Sequence, residues 1–94
     1  MPVITILARP AGCSCRPASI DGDVAVNPSG GLKCFGHPIG ATGCRMTYEI
    51  TRQVQGRAEG RQHEGAKTGL AHNLGGLGGV VCGIAILSFE DMYR

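Results

Sequence analysis

One histidine, His37, lies in a loop whose composition suits proton transfer to or from a bound ligand. Residues 27–43 read NPSGGLKCFGHPIGATG and place five glycines and two prolines around this imidazole. An unperturbed imidazole pKa of about 6.5 lets the ring accept and release a proton at neutral pH. Glycine permits positive φ angles and close approach of other groups, and proline restricts the backbone. The pattern indicates acid–base chemistry; the alternative is a histidine that only caps the start of the next helix.

The cysteines offer weaker candidates for chemistry. Cys13 and Cys15 form a C-x-C pair, but no cysteine or histidine follows at zinc-like spacing, so no metal site is predicted. Cys34 is expected to be a loop residue, and Cys44 and Cys82 are predicted to be core residues on apolar faces. Five cysteines without a C-x-x-C motif favour a reduced, cytoplasmic setting over a disulfide framework.

The elements that must position His37 can be predicted from periodicity. Apolar residues recur every three or four positions after the loop and predict a helix over residues 41–55. The apolar series is Ile39, Gly43, Met46, Ile50 and Val54, and the polar series on the other side is Arg45, Glu49, Arg52 and Gln53. Residues 9–17 are predicted to be an irregular linker and residues 57–67 a solvated loop. Strands are predicted at 3–7, 68–72 and 80–89, the last two separated by a glycine-rich turn at 75–79.

Two segments carry a resemblance to a known family. The pattern N-x-x-G-G-x-x-x-x-G-H-P-x-G-x-[ST]-G closely resembles the catalytic-histidine loop of the thiolases. Residues 69–79, GLAHNLGGLGG, resemble the glycine-rich turn near the thiolase C-terminus. The H-N-x-G form of that turn and the EGRQ segment at 59–62 are similar to the lipid-transfer-protein-type (SCP2-like) thiolases. The resemblance covers about residues 19–88, so residues 1–18 are predicted to be an irregular N-terminal segment and 19–94 a partial thiolase C-terminal-like domain.

The resemblance implies a fold and a set of roles. The expected fold is α/β, a partial thiolase C-terminal domain with one main helix on a small mixed sheet that ends in a β-hairpin. His37 matches the histidine that deprotonates the nucleophilic cysteine and donates to the thioester carbonyl oxygen. Gly75 matches a glycine whose backbone N–H donates to an oxyanion; a plain turn glycine is the alternative. Where most thiolases carry a C-x-G cysteine, this chain has Asn73, which cannot shuttle a proton. Asn73 is expected to bind the substrate or brace the loop, and His72 could supply the missing acid/base.

The implied reaction is acyl transfer between acyl-CoA thioesters, either 3-ketoacyl-CoA thiolysis or the reverse Claisen condensation. Coenzyme A thioesters would be substrates, with no metal or redox cofactor. The nucleophilic cysteine and the N-E-A-F or H-D-C-F motif of the family have no counterpart here. The chain is therefore expected to be inactive alone and to need an upstream thiolase-half chain or a homo-oligomer. The alternatives are a non-catalytic structural or partner subunit, including an SCP2-like aldolase-type complex, and an independent small binding module.

Composition limits the size of the domain and the kinds of partner that the chain could have. Ninety-four residues allow one small domain, and 4% aromatic content predicts a core of Val, Ile, Leu and Ala. The formal net charge is +2, with nine basic and seven acidic residues dispersed along the chain, which argues against nucleic acid as a partner. The apolar run at 3–8 is too short for a signal peptide or a membrane span. Exposed strand edges are expected to favour association or aggregation.

Overall fold

The fold is a four-stranded sheet with one main helix on one of its faces. The computed structural model describes residues 3–8, 24–76 and 81–89. In chain order the elements are β1 (Val3–Ala8), β2 (Val24–Val26), α1 (Leu32–Phe35), α2 (Thr42–Val54), a 3₁₀ turn (Glu59–Arg61), β3 (Thr68–Gly75) and β4 (Val81–Ser88). The strand order is β2-β1-β3-β4. No helix in these described ranges is long and apolar enough to cross a membrane.

The α/β class, the main helix and the C-terminal hairpin are confirmed. Each described strand pairing is antiparallel, whereas a mixed sheet was expected. The predicted strand at 3–7 is observed as β1, which pairs with both β2 and β3. The pairing of β3 with β4 joins Thr68 to Ser88 at one end and Gly75 to Val81 at the other. The predicted linker at 9–17, with Cys13 and Cys15, and most of the predicted turn at 75–79 lie outside the described residues.

Helix α2 forms the core by burying its apolar side against β3 and β4. Met46 and Ile50 pack on Ala71, with Ala85 and Leu87 at the margin of the cluster. Because side chains alternate across a strand, the odd-numbered residues of β3 and β4 face α2. The core is therefore aliphatic, as the composition predicts. Ile39, included in the predicted helix face, is 88% exposed, because it precedes the helix in a turn.

The polar side of α2 differs from its prediction. Glu49 and Gln53 are fully buried rather than solvent-facing. Glu49 accepts two hydrogen bonds from Arg61, at 2.7 and 3.0 Å, so its carboxylate is paired within the fold. The hydrogen bond to Glu49 is the main reason that the pKa of Arg61 lies above its usual value.

The segment after α2 is likewise not the solvated loop predicted for 57–67. Ala58, His63 and Ala66 are buried. The Gln53 amide donates to the Arg61 carbonyl at 2.7 Å and accepts from the His63 backbone N–H at 2.9 Å. Side-chain amides replace water as partners for this backbone, which is why a charged, glycine-containing segment packs against the helix.

In the part of the chain that the structure describes, the face of the sheet opposite α2 is apolar and uncovered, and we call it the outer face. Its described side chains are Ile6, Val24, Val26, Thr68, Leu70, His72, Leu74, Cys82, Ile84, Ile86 and Ser88. Ile84 and Ile86 are 61% and 67% exposed. Cys82 is exposed on this face and Cys44 is exposed on α2, so the prediction that both are core residues was wrong. An apolar strand pattern predicts a buried face only where a second layer covers it.

Candidate functional site

The loop that carries His37 depends on glycine at two positions. Gly30 has φ +86°, and a Cβ there would clash with Cys34 Sγ. Gly36, directly before the histidine, has φ +75° and donates its N–H to Leu32 O at 2.8 Å, which ends the short helix α1. Residues other than glycine rarely adopt these φ values. The glycines therefore set the direction in which the chain presents His37.

Thr42 holds the His37 ring from the first turn of α2. His37 Nδ1 lies 2.7 Å from Thr42 Oγ1, and Thr42 is only 2% exposed. The Thr42 hydroxyl donates its single hydrogen to Pro38 O at 3.0 Å. Oγ1 can then only accept from the ring, so Nδ1 carries the hydrogen and the lone pair of the neutral imidazole lies on Nε2. The His37 side chain is exposed, so a ligand can reach it. The arrangement fits a base that acts through Nε2.

The anchor of this hydrogen bond is itself well fixed. Pro38 O accepts from the backbone N–H of Ala41 at 2.9 Å and of Thr42 at 3.0 Å, besides the Thr42 hydroxyl. One carbonyl thus gathers three donors at the start of α2. Thr42 occupies the [ST] position of the loop motif. The sequence did not identify it as the partner of His37, although it lies only five residues after the histidine.

Asn73 lies beside the same end of α2. Its Nδ2 is 3.5 Å from the position that a Cβ on Gly43 would occupy. Gly43 and Asn73 line a cleft of about 230 Å³ between α2 and the hairpin, together with Met46, Thr47, Ala71, Gly83, Ile84 and Ala85. Gly43, the residue after Thr42, therefore shares this cleft with Asn73, so the fold brings the start of α2 close to the strand that carries the asparagine.

Gly75 is the last residue of β3, paired with Val81. Among the residues that the structure describes, no atom lies within 4 Å of the position that a Cβ on Gly75 would occupy. Local packing therefore leaves space beside Gly75, and its role as an oxyanion donor stays a prediction.

His72 points away from this cleft. Adjacent residues of a strand face opposite sides of a sheet, so His72 lies on the outer face while Asn73 faces α2. His72 Nε2 lies 3.0 Å from Cys82 Sγ on the neighbouring strand. This cysteine–histidine pair has no sequence signal, because it depends on the register that pairs Leu74 with Cys82 and His72 with Ile84. The predicted acid/base role of His72 in a thiolase reaction stays untested.

Comparison with known proteins identifies the family. Residues 13–88 match the family described as thiolase C-terminal domain-like, and the chain belongs to it. This confirms the resemblance seen in the histidine loop and the glycine-rich strand end.

Its relatives include proteins much longer than this chain. An acetyl-CoA acetyltransferase of Methanothermobacter thermautotrophicus is 58% identical over 60 residues, which are 64% of this chain and 16% of that protein. One from Methanocaldococcus jannaschii is 52% identical over 71 residues, 72% of this chain and 18% of that protein. Sterol carrier protein 2 of Homo sapiens is 46% identical over 70 residues, 74% of this chain and 13% of that protein. The chain thus spans less than a fifth of each relative. No solved structure matches it.

Proposed function

We propose that this chain supplies the histidine side of a thiolase-type site that transfers acyl groups between coenzyme A thioesters. His37 Nε2 takes the proton from a nucleophilic cysteine that a further polypeptide segment or a partner chain provides. The thiolate, which is the reactive form of cysteine, then attacks the thioester or 3-keto carbonyl carbon and becomes acylated. In the first case the bond to the coenzyme A sulfur breaks and the coenzyme A thiolate leaves; in the second the C2–C3 bond breaks and the enolate of the remaining coenzyme A thioester leaves. The leaving group takes up the proton removed from the cysteine. The observation that carries the proposal is the Thr42–His37 hydrogen bond, which leaves Nε2 as the basic atom.

The substrate carbonyl needs donors as well as a base. We assign this role to the end of β3, where Asn73 offers a side-chain amide and Gly75 a backbone N–H. Removing one preorganised oxyanion donor typically raises the barrier by about 3 kcal/mol. The observation that supports this assignment is that Asn73 lies beside α2, the helix that carries Thr42. Coenzyme A thioesters enter this proposal as substrates only, and no metal or redox cofactor forms part of it.

The test is a chimera with an enzyme that already carries a nucleophile. The 60 matched residues of this chain replace their counterparts in the Methanothermobacter acetyl-CoA acetyltransferase, to which they are 58% identical. We expect the chimera to catalyse thiolysis of acetoacetyl-CoA, and the isolated chain to show none. Thiolysis by the isolated chain would contradict the requirement for an external cysteine.

Two matched substitutions in the chimera separate chemistry from helix stability. Thr42→Val removes the partner of His37, whereas Thr51→Val removes an ordinary helix hydrogen bond from Oγ1 to the Thr47 carbonyl at 2.8 Å. Each substitution deletes one hydroxyl that donates to the carbonyl four residues earlier. Only the first should reduce thiolysis; equal effects of both would refute a special role for Thr42.

A second candidate, a non-catalytic structural or partner subunit of a thiolase-like assembly, is favoured by the outer face. Ile84 and Ile86 are more than half exposed there, and such exposed apolar strands favour association. This function predicts that the chimera stays folded and inactive even with His37 intact. Sedimentation of the isolated chain would then show a stable oligomer.

A further inference from the structure

A cysteine–histidine pair lies on the outer face, away from the His37 loop. Cys82 Sγ and His72 Nε2 are 3.0 Å apart across the β3–β4 pairing. The cysteine is exposed and the histidine half-buried, so the thiol is accessible while the imidazole is held beside it. Cys34 and Cys44 are also exposed, but among the described cysteines Cys82 is the one with a histidine partner. A neighbouring imidazole can accept the thiol proton and generate the attacking thiolate.

The surroundings of this pair are apolar. Leu74 lies opposite Cys82, and Ile84 lies opposite His72. Further along the same face, Leu70 pairs with Ile86. Residues two apart on a strand are about 7 Å apart, so Ile84 and Ile86 form a row that starts at the thiol and extends about 13 Å along β4. The row offers apolar contact to an alkyl chain attached at the Cys82 sulfur.

We propose that Cys82 and His72 form an acyl-acceptor site for thioesters with medium or long alkyl chains. His72 Nε2 takes the proton from Cys82 Sγ, and the thiolate attacks the thioester carbonyl carbon. A new C–S bond to Cys82 forms, the bond to the leaving thiolate breaks, and His72 returns the proton to that thiolate. The products are S-acyl-Cys82 and a free thiol, with no change of oxidation state. This site goes beyond the proposed role of His37 and does not depend on it.

The experiment uses the full 94-residue chain with decanoyl-CoA and, separately, acetyl-CoA. Trypsin releases residues 68–94 as one peptide in which Cys82 is the single cysteine, so mass spectrometry assigns the adduct without ambiguity. We expect a hydroxylamine-sensitive decanoyl adduct on this peptide. Each fully buried methylene favours binding about fourfold, so even partial contact predicts at least about tenfold faster labelling by decanoyl-CoA than by acetyl-CoA.

Variants test each partner. Cys82→Ser should abolish the thioester adduct on this peptide, and Cys44→Ser, which removes another exposed thiol, should leave it unchanged. His72→Asn should slow labelling at pH 7 at least about tenfold, the loss of a general base. At pH 9.5 hydroxide can replace the imidazole as the base that removes the thiol proton, so this variant should approach the wild-type rate. A circular dichroism spectrum that matches the wild type shows that the variant is folded.

Three results would overturn the proposal. The first is equal labelling by the decanoyl and acetyl thioesters, which would remove the role of the apolar row. The second is equal rates for wild type and His72→Asn at pH 7, which would remove the role of the imidazole. The third is preferential labelling of the Cys34 and Cys44 peptide. Since neither His37 nor thiolysis is measured, failure here is distinct from failure of the proposed function.

Discussion

Thr42→Val should disturb the orientation of the His37 ring while changing the stability of the fold only slightly. Valine has nearly the shape of threonine, so at a position that is 2% exposed it fills the same space. The substitution deletes the acceptor of the Nδ1 hydrogen and one of three donors to Pro38 O. The Pro38 carbonyl keeps its two backbone donors, Ala41 N–H and Thr42 N–H. No buried acceptor is left without a partner, so the structural cost should be small.

The expected changes in stability and in rate follow from the hydrogen bonds that the substitution removes. Loss of a net favourable hydrogen bond lowers the free energy of unfolding by about 0.5–1.5 kcal/mol. For activity, the ring loses the interaction that fixes its tautomer and rotamer. A misorientation cost of about 1–2 kcal/mol corresponds to about a five- to thirtyfold lower thiolysis rate in the chimera.

Two measurements check this expectation. Nitrogen-15 NMR of the imidazole reads the tautomer in the isolated chain, where we expect Nδ1–H in wild type and a mixture in Thr42→Val. Thiolysis of acetoacetyl-CoA reads the rate in the chimera. The reasoning is refuted if the variant keeps the Nδ1–H tautomer, or if its rate equals that of Thr51→Val.

Two stability predictions follow from contacts elsewhere in the fold. Glu49→Ala leaves Arg61 without its carboxylate partner and opens space beside α2, so the free energy of unfolding in urea should fall by about 1–3 kcal/mol; no change would show that the pair is not formed in solution. Gly30→Ala forces a Cβ against Cys34 Sγ at φ +86° and should cost about 1–3 kcal/mol. Gly40→Ala, where a Cβ meets no atom within 4 Å, is the control and should be close to neutral.

The elements were predictable where one physical signal dominated. Helix α2 has a clear apolar period, and the hairpin has two apolar runs around a glycine-rich segment, so both were found. Strand β2 was not, because three residues carry too little pattern. Its place in the sheet depends on pairing with β1, a long-range contact.

Apart from the strand directions of the sheet, the errors concern burial, which depends on partners that a local pattern does not contain. Glu49 and Gln53 have the polarity of surface residues, but Arg61 and the backbone of His63 bind them. Cys82 has the neighbours of a core residue, but its side of the sheet is open. In the site, His37 was found because its loop has a distinctive motif, whereas its bond to Thr42 depends on how the Pro38 turn folds back onto α2.

The central claim, that His37 is a proton-transfer group, is tested most directly by acetoacetyl-CoA thiolysis in the chimera with His37→Gln. Because His37 is exposed, the substitution should leave the circular dichroism spectrum unchanged. It should lower the free energy of unfolding by no more than about 0.5–1.5 kcal/mol, the contribution of its hydrogen bond to Thr42. We predict a rate at least about 100-fold lower than that of the parent chimera, the loss expected for a general base. A folded His37→Gln chimera that retains the parent rate within about threefold, less than a general base contributes, would contradict the claim.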